Sequence, residues 1–245
     1  RRGRDGMDSE RDIGAEVPGW QPPARPERRP IAGTHVTLEP LDADLHADDL
    51  YDGFAGHDAL WDWMGYGPFA SAAAYAGWIR AAAMAEDPRF LALRDAATGR
   101  CGGVAAWLRI APEAGSIEVG HICLAPRLAG TRASTEAMVM MMQAAFALGY
   151  RRYEWKCNAL NLASRRAALR LGFRFEGIHR QAAVVKGRNR DTAWYSVLDG
   201  EWPALAAAFA TWLSPSNFDS GGRQLSRLSD LTAAIHQTRA PADRR

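Results

Sequence analysis

Apolar positions recur along this chain with two periods. Over residues 31–39 they alternate with polar ones and include β-branched side chains, which predicts a strand. Over 42–56 the spacing lengthens to that of a helix, with Asp42 as its N-cap. Ser71 opens a second, Ala-rich helix that runs to residue 86. Two short strands, 89–94 and 103–110, flank a turn at 95–99, and a third central strand covers Ser116–Leu124. A long helix is predicted over 131–148, with Gly149 in the left-handed position that closes helices. A strand at 153–157 and a helix at 162–171, stopped by Gly172, follow. Segments 173–186 and 192–198 read as strands joined by a polar turn at 187–191. A last helix spans 201–213, with Pro203 in its first turn, where proline is tolerated.

Strands and helices alternate only in the second half, so the fold class is α/β (α+β) with a mixed sheet flanked by helices. Residues 1–30 are rich in Arg, Pro and acids and predict an extended or disordered arm. The domain proper is expected over 31–213. The tail, 214–245, is turn-rich and then weakly helical from about Leu225.

Composition narrows the function classes. The 245 residues carry 30 Lys plus Arg against 28 Asp plus Glu, a net charge of +2. That balance gives little general attraction for nucleic acid or anionic membrane, so neither partner is expected. Cys101, Cys123 and Cys157 are too few and too scattered for a disulfide framework or a zinc site, and no metal is expected. The apolar stretch 137–150 contains Gln143 and is too short to span a bilayer. The opening RRGRDGMDSE is charged and lacks the apolar core of a signal peptide, and Met7 is a candidate natural start. A cytoplasmic protein with reduced thiols is the expectation.

The most informative segment is 120–137, GHICLAPRLAGTRASTEA. A strand runs into Pro126, then a short loop with Gly130, then a long helix. Unpaired amides and the macrodipole make such a helix start a natural anion site. Gly130 permits close approach of backbone, Thr131 and Ser134 offer hydroxyls, and Arg127 and Arg132 offer charge. The alternative is an ordinary turn with a capped helix. The Gly-Lys-Ser/Thr ending of a Walker loop and the three-glycine dinucleotide pattern are both absent.

The run Arg127, Leu128, Ala129, Gly130, Thr131, Arg132, Ala133, Ser134 resembles the acyl-CoA pyrophosphate loop of the GNAT superfamily of N-acetyltransferases, Q/R-x-x-G-x-G/A. Arg132 stands where that pattern has glycine or alanine, which sets an extra cation beside the phosphates. A second match, Asn161 to Ser164, then Gly172-Phe173 and Glu176-Gly177, resembles the N-x-x-S…GF…EG signature of the branch that acetylates protein N-termini, including ribosomal-protein alanine N-acetyltransferases. The likeness covers roughly 31–199.

The resemblance implies an acetyl-CoA-dependent enzyme that acetylates a primary amine, on a protein N-terminus or a small molecule, without an acyl-enzyme. The thioester would lie between two splayed central strands, with Ile122, Cys123 and Leu124 offering backbone to the pantetheine arm. Residues Arg127 to Ser134 would hold the pyrophosphate, Asn161 would bond pantetheine, and Ser164 would sit near the leaving sulfur. Many relatives place a tyrosine acid four residues before the GF pair; here that position is Ala168, which makes Ser164 the substitute.

An amine attacks only when neutral. At neutral pH, deprotonation costs roughly 1–1.5 kcal/mol for an α-amine and over 4 for lysine, so the α-amine asks less of a base. Glu118 and His121 are the candidates. Strict alternation puts them on opposite faces, so that only one points at the cleft, and Glu118 is favoured because relatives carry an acidic residue in an E-x-G-x stretch there.

Other segments read as structural or open. Met138, Met140, Met141, Met142 and Phe146 suit a helix packed flexibly into the core. The aromatic, Gly-rich run 61–67 suits a cleft wall or an anchored loop. The pairs Arg151-Arg152 and Arg165-Arg166 are expected to be solvated, with contact to a CoA phosphate as the alternative, and the basic hairpin tip 186–190 is expected to be a solvated turn, with docking of an acidic partner as the alternative. A homodimer stays open. Two other functions compete: an acyl-CoA-binding sensor or scaffold without turnover, and an RNA- or ribosome-associated module, which the near-neutral charge disfavours.

Overall fold

The computed structural model describes residues 14–237. Residues 1–13 and 238–245, which include Met7 and the outer parts of the predicted arm and tail, lie outside the described residues.

Eight strands form one sheet: β1 (Ile31–Ala32), β2 (Val36–Pro40), β3 (Arg89–Asp95), β4 (Cys101–Ala111), β5 (Ser116–Leu124), β6 (Arg152–Asn158), β7 (Arg174–Val185) and β8 (Arg188–Leu198). Their order is β1-β2-β3-β4-β5-β6-β8-β7. Every neighbouring pair is antiparallel except β5 and β6, which are parallel. A parallel pair needs a crossover rather than a hairpin. The helix α3 (Arg132–Ala147), after α1 (Ala43–Phe54) and α2 (Ala72–Met84), supplies it. The expected mixed α/β sheet flanked by helices is the observed fold.

Side-chain alternation gives the sheet two cores. Leu91, Leu93, Ala105, Trp107, Ile117, Val119, Tyr153 and Val197 pack against α3 and against α5 (Trp202–Leu213). Phe90, Ala92, Val104, Ala106 and Cys123 pack on the other face with Leu50 and Phe54 of α1 and Tyr75 and Ile79 of α2. The Met-rich helix joins the first core: Met138, Met141 and Met142 are buried there, with Met140 and Phe146 half-buried.

Caps set the helix starts. Asp42 accepts from the amides of Asp44 and Leu45, Ser71 from Ala74, and Thr131 from Ser134. Asn161 does the same for α4 (Leu162–Arg170), accepting from Ser164.

Most boundaries shift by a few residues from the sequence reading, and two departures have a specific cause. The strand expected over 31–39 is broken into β1 and β2, because the chain bends at Gly33 and the amides of Thr34, His35 and Val36 turn to the buried Glu136 carboxylate on α3. A Cβ on Gly33 would lie 2.6 Å from the Met140 sulfur, so only glycine lets the bend sit this close to α3. The five-residue turn expected at 187–191 is a two-residue turn, Lys186-Gly187, with φ of 48° and 74°. Two successive positive φ values match the twist of hairpin strands, so β8 begins at Arg188. The hairpin arm is solvated over most of its length, and polarity there does not distinguish strand from loop.

Of the arm, residues 14–30 carry no regular element beyond a turn closed by Trp20 N–H on Val17 O. Pro23 and Pro26 are buried, Arg28 donates to the carbonyls of Ala83 and Ala85, and Arg89 donates to Pro26 O. Of the tail, α6 (Leu228–Gln237) packs on α4 and α5 with Leu228 and Thr232 buried.

Candidate active site

Strands β5 and β6 pair only from Ser116↔Arg152 to Val119↔Trp155. Beyond that point β5 stays on β4 and β6 stays on β8, so the sheet opens along a seam. A cleft of about 1240 Å³ fills the seam, bordered by Gly120 to Leu124 on one wall and Trp155 to Asn158 on the other.

A bulge widens the seam. Val104 pairs with Cys123 and Ala106 with Gly120, so His121 and Ile122 together oppose Ala105. The extra residue is accommodated by φ of 51° at His121, a left-handed conformation that His, like Asn and Asp, adopts more readily than most side chains. It also resets alternation. His121 stacks on Tyr66, ring centroids 5.6 Å apart, and meets the Phe90 ring at a tilt, centroids 4.9 Å apart, on the sheet face packed by α1 and α2. Glu118 is on that same face: a Cβ on Gly120, two residues on, would lie 3.4 Å from its Oε1. The expectation that only one of the two faces the cleft is therefore corrected; both border it.

Glu118 is 2% exposed. Arg109 donates to both of its oxygens at 2.8 Å, and the Lys156 ammonium lies 2.9 Å from Oε2. Lys156 also pairs with Glu154 at 2.7 Å and lies over the Trp194 ring. Burial pushes the Glu118 carboxyl above the ordinary range, and the two cations pull against it. Burial, with help from Arg109 and Arg190, holds His121 down at about 4, so its imidazole is neutral. It has no hydrogen-bond partner among the described residues.

At the far end of the cleft, Pro126, Ala129, Gly130, Thr131, Arg132 and Ser134 line the wall. Gly130 takes φ of 76°, turning the chain into α3. The Thr131 hydroxyl occupies the Ser134 amide, while helix geometry leaves the Arg132 and Ala133 amides without intrahelical acceptors. Leu128 and Ala133 face the core. The Arg127 side chain turns out of the cleft, donating to the carbonyls of Asp49 (2.7 Å) and Cys101. Arg132 lies 3.6 Å over the Phe218 ring, so the tail contributes Phe218 and Gln224 to this end.

Between the two ends, the Ser164 hydroxyl accepts the Trp155 indole N–H at 3.0 Å. The Asn161 carbonyl oxygen is taken as a helix cap, leaving its amide nitrogen to reach outward. Ala168 is fully buried. The aromatic run divides: Trp61 is a core residue, while Trp63, Met64 and Gly65 border the cleft. The basic hairpin tip is not simply solvated, because Lys186 donates to the carbonyls of Trp61 and Tyr66. Nor are Arg152 and Arg165, which bind Glu154 and Glu176, and Tyr195, respectively.

Sequence reasoning did not single out Arg109, Lys156, Arg170 or Phe218, and took Arg190 only as part of the basic hairpin tip. Lys156 left a signal: Glu154 and Lys156 are charges two apart within 153–157, where the other three residues are Tyr, Trp and Cys. Away from the cleft, Glu39, His46 and Cys101 bring ligand-type atoms within 4.8 Å, but Glu39 is committed to Arg94 and His46. No helix among the described residues is long and apolar enough to cross a membrane.

A mixed sheet is parted at its one parallel pair, with a helix start at one end of the gap and buried titratable groups at the other, an arrangement that suits group transfer. Residues 35–174 match the family model described as an acetyltransferase (GNAT) domain. The chain is similar to the crystal structure of a GCN5-related N-acetyltransferase from Brucella melitensis: identity is 46%, over 89% of this chain and 100% of that one, with a TM-score of 0.86. It is also similar to a probable acetyltransferase (GNAT family) from Chromobacterium violaceum: identity is 40%, over 78% of this chain and 96% of that one, with a TM-score of 0.74. At 22% identity it shares its fold with the microcin C7 self-immunity acetyltransferase MccE, solved with acetyl-CoA and AMP (68% of this chain, 93% of that one, TM-score 0.61). No curated protein matches the chain. The chain belongs to the GNAT acetyltransferase family and is an acetyl-CoA-dependent acyltransferase.

Proposed function

We propose that the enzyme transfers acetyl from acetyl-CoA to a primary amine, a protein N-terminus or a small molecule, by direct attack in the seam between β5 and β6. The observation that carries this is the unpaired edge of β5 beyond Val119, with a helix start at one end and Glu118 and His121 at the other. The cleft residues fit the donor. The free amides of Arg132 and Ala133, the loop at Ala129 and Gly130, and the Arg132 guanidinium suit a pyrophosphate. The backbone of Ile122, Cys123 and Leu124 has a free edge for the amides of a pantetheine arm, and the Asn161 side-chain NH₂ can donate to that arm.

The amine approaches from the α1/α2 face. His121, neutral and unpartnered, accepts one N–H and aims the nitrogen lone pair. As the C–N bond forms and the C–S bond breaks, the amine proton passes to Glu118, whose raised pKa brings its proton affinity closer to that of an amine. Ser164, whose oxygen accepts from Trp155 and whose hydroxyl lies within reach of the Cys157 sulfur, turns its hydroxyl hydrogen to the departing thiolate. Among amines, the Asn161-to-Ser164, Gly172-Phe173 and Glu176-Gly177 pattern supports an α-amine, as on ribosomal-protein N-termini.

Thiol release from acetyl-CoA against a panel of N-terminal peptides and small amines tests the reading. Release with a primary amine, and mass gain of one acetyl group on it, are expected. Transfer to hydroxyl acceptors alone would overturn it.

A further inference from the structure

Of the cleft cations, Arg132, Arg170 and Arg190 are answered by no carboxylate among the described residues; Arg132 and Arg170 lie over the Phe218 and Trp212 rings, and Arg190 alone of the three has neither an aromatic platform nor a side-chain hydrogen bond there. Lys156 is matched by Glu118 and Glu154, Arg109 by Glu118, and Arg152 by Glu154 and Glu176. Arg190 borders the same cleft, is half-buried and donates to no acceptor among the described residues. Its Nε is buried without a partner. A buried, unpaired guanidinium N–H costs free energy unless something else accepts from it.

Register fixes where Arg190 stands. Lys156 pairs with Trp194 and Asn158 with Thr192 across β6 and β8, so Arg190, two further along, shares the sheet face of Lys156 and Glu118. It is on the amine side of the seam, not at the Arg132 end. Arg109 reaches the same space from the other wall. Its φ of 46° marks a second bulge, where Leu108 and Ala111 of β4 pair with Glu118 and Ser116, and Asp87 fixes that bulge by accepting from the amides of Arg109 and Ile110. Only one nitrogen of the Arg109 guanidinium is engaged by Glu118. Both arginines line the cleft together with His121, one from each wall.

The geometry points to an oxyanion site in the acceptor half of the cleft, formed by Arg190 and Arg109, so that the preferred acceptor is a primary amine that carries a carboxylate or phosphate. The inference rests on the proposed amine acetylation and names its substrate class. Its logic is electrostatic. A bare ammonium finds no partner in Arg190, whereas an amine tethered to an oxyanion is held by the Arg190 guanidinium and by the Arg109 nitrogens that Glu118 leaves free. The same positive potential favours the neutral, attacking form of the amine.

The test compares matched acceptors: an α-amino acid with its amide, phosphoethanolamine with ethanolamine, and peptides with Asp or Asn at the second position. The anionic member of at least one pair is expected to have kcat/KM higher by roughly tenfold or more, the range of a charge-assisted hydrogen bond. The pairs also tell carboxylate from phosphate. Arg190→Gln should bring the ratio close to one, and Arg190→Lys should restore part of it. Equal kcat/KM within every pair, or a preference that survives Arg190→Gln, overturns the inference while leaving amine acetylation standing. Failure of every amine overturns the acetylation reading instead. The site then has its own readout, calorimetric titration of inorganic phosphate onto protein already saturated with CoA. Wild type is expected to bind and Arg190→Gln to lose that binding; identical isotherms overturn the site.

Discussion

Glu118 and Lys156 form a buried ion pair across the one parallel strand pair of the sheet, 2.9 Å apart with side chains 3% and 6% exposed. Such a pair adds little net stability over an apolar substitute, but removing one partner strands the other charge. Here each ion has a second partner, Arg109 for Glu118 and Glu154 for Lys156, so the pair can be tested without unfolding the strand. Glu118→Gln is expected to fold and to keep its affinity for acetyl-CoA. Its rate should fall by about 10²–10⁴-fold near neutral pH, the usual contribution of a general base. The deficit should shrink as pH rises toward the amine's own pKa, where the nucleophile no longer needs help. A deficit constant across the pH–rate profile would assign Glu118 to holding Lys156 and Arg109 rather than to the proton.

His121 makes a separate pH prediction. Its folded pKa is held at about 4, chiefly by burial, while the unfolded chain titrates near 6.5. Between those values the unfolded state binds the extra proton, so the stability His121 contributes is full above about 6.5 and is lost as pH falls toward 4. His121→Asn keeps a residue that tolerates positive φ and does not titrate. Its Tm should fall less than that of wild type between pH 6.5 and 4. Parallel Tm curves would show that the imidazole titrates normally in the folded protein.

Much of this fold is legible in the sequence because periodicity and caps are local. Asp42, Ser71 and Thr131 are read as helix starts and form them. The parting of β5 from β6 comes from the family resemblance rather than from periodicity. The bulges at Arg109 and His121 leave no mark, because an extra residue in a strand looks like any other strand residue. Counting by twos through β5 then sends His121 to the wrong face. Arg127 misleads in another way: a cation beside an anion-type loop invites assignment to the anion, yet its guanidinium finds two carbonyls on α1 and β4. Arg190 is hidden in a stretch whose polarity reads as a turn.

The Arg127 geometry is testable on its own. Its guanidinium crosses Gly53 so closely that a Cβ there would lie 2.6 Å from Nη1. Arg127→Ala should cost about 1.5–3 kcal/mol in urea unfolding, the range for hydrogen bonds to a charged donor. Gly53→Ala should destabilise in the same direction by displacing the side chain. The KM for acetyl-CoA is expected to move little in Arg127→Ala. A large rise in KM with unchanged stability would return Arg127 to the pyrophosphate.

Arg132 replaces the small residue of the family pattern, and Phe218 from the tail gives it a platform 3.6 Å below the guanidinium. An aromatic face under a cation contributes roughly 0.5–2 kcal/mol, depending on desolvation. If the ring serves to aim Arg132 at the donor's phosphates, Phe218→Ala should raise the KM for acetyl-CoA by about 3- to 30-fold, with kcat largely kept. Arg132→Ala should do the same, and the double variant should be little worse than either single one, because both substitutions remove one unit. Dephospho-CoA and CoA as competing ligands then report which phosphate is held: a loss confined to CoA places Arg132 at the 3′-phosphate, and an equal loss for both places it at the pyrophosphate. Fully additive effects would mean that Phe218 and Arg132 act apart, and that the tail's contribution is packing alone.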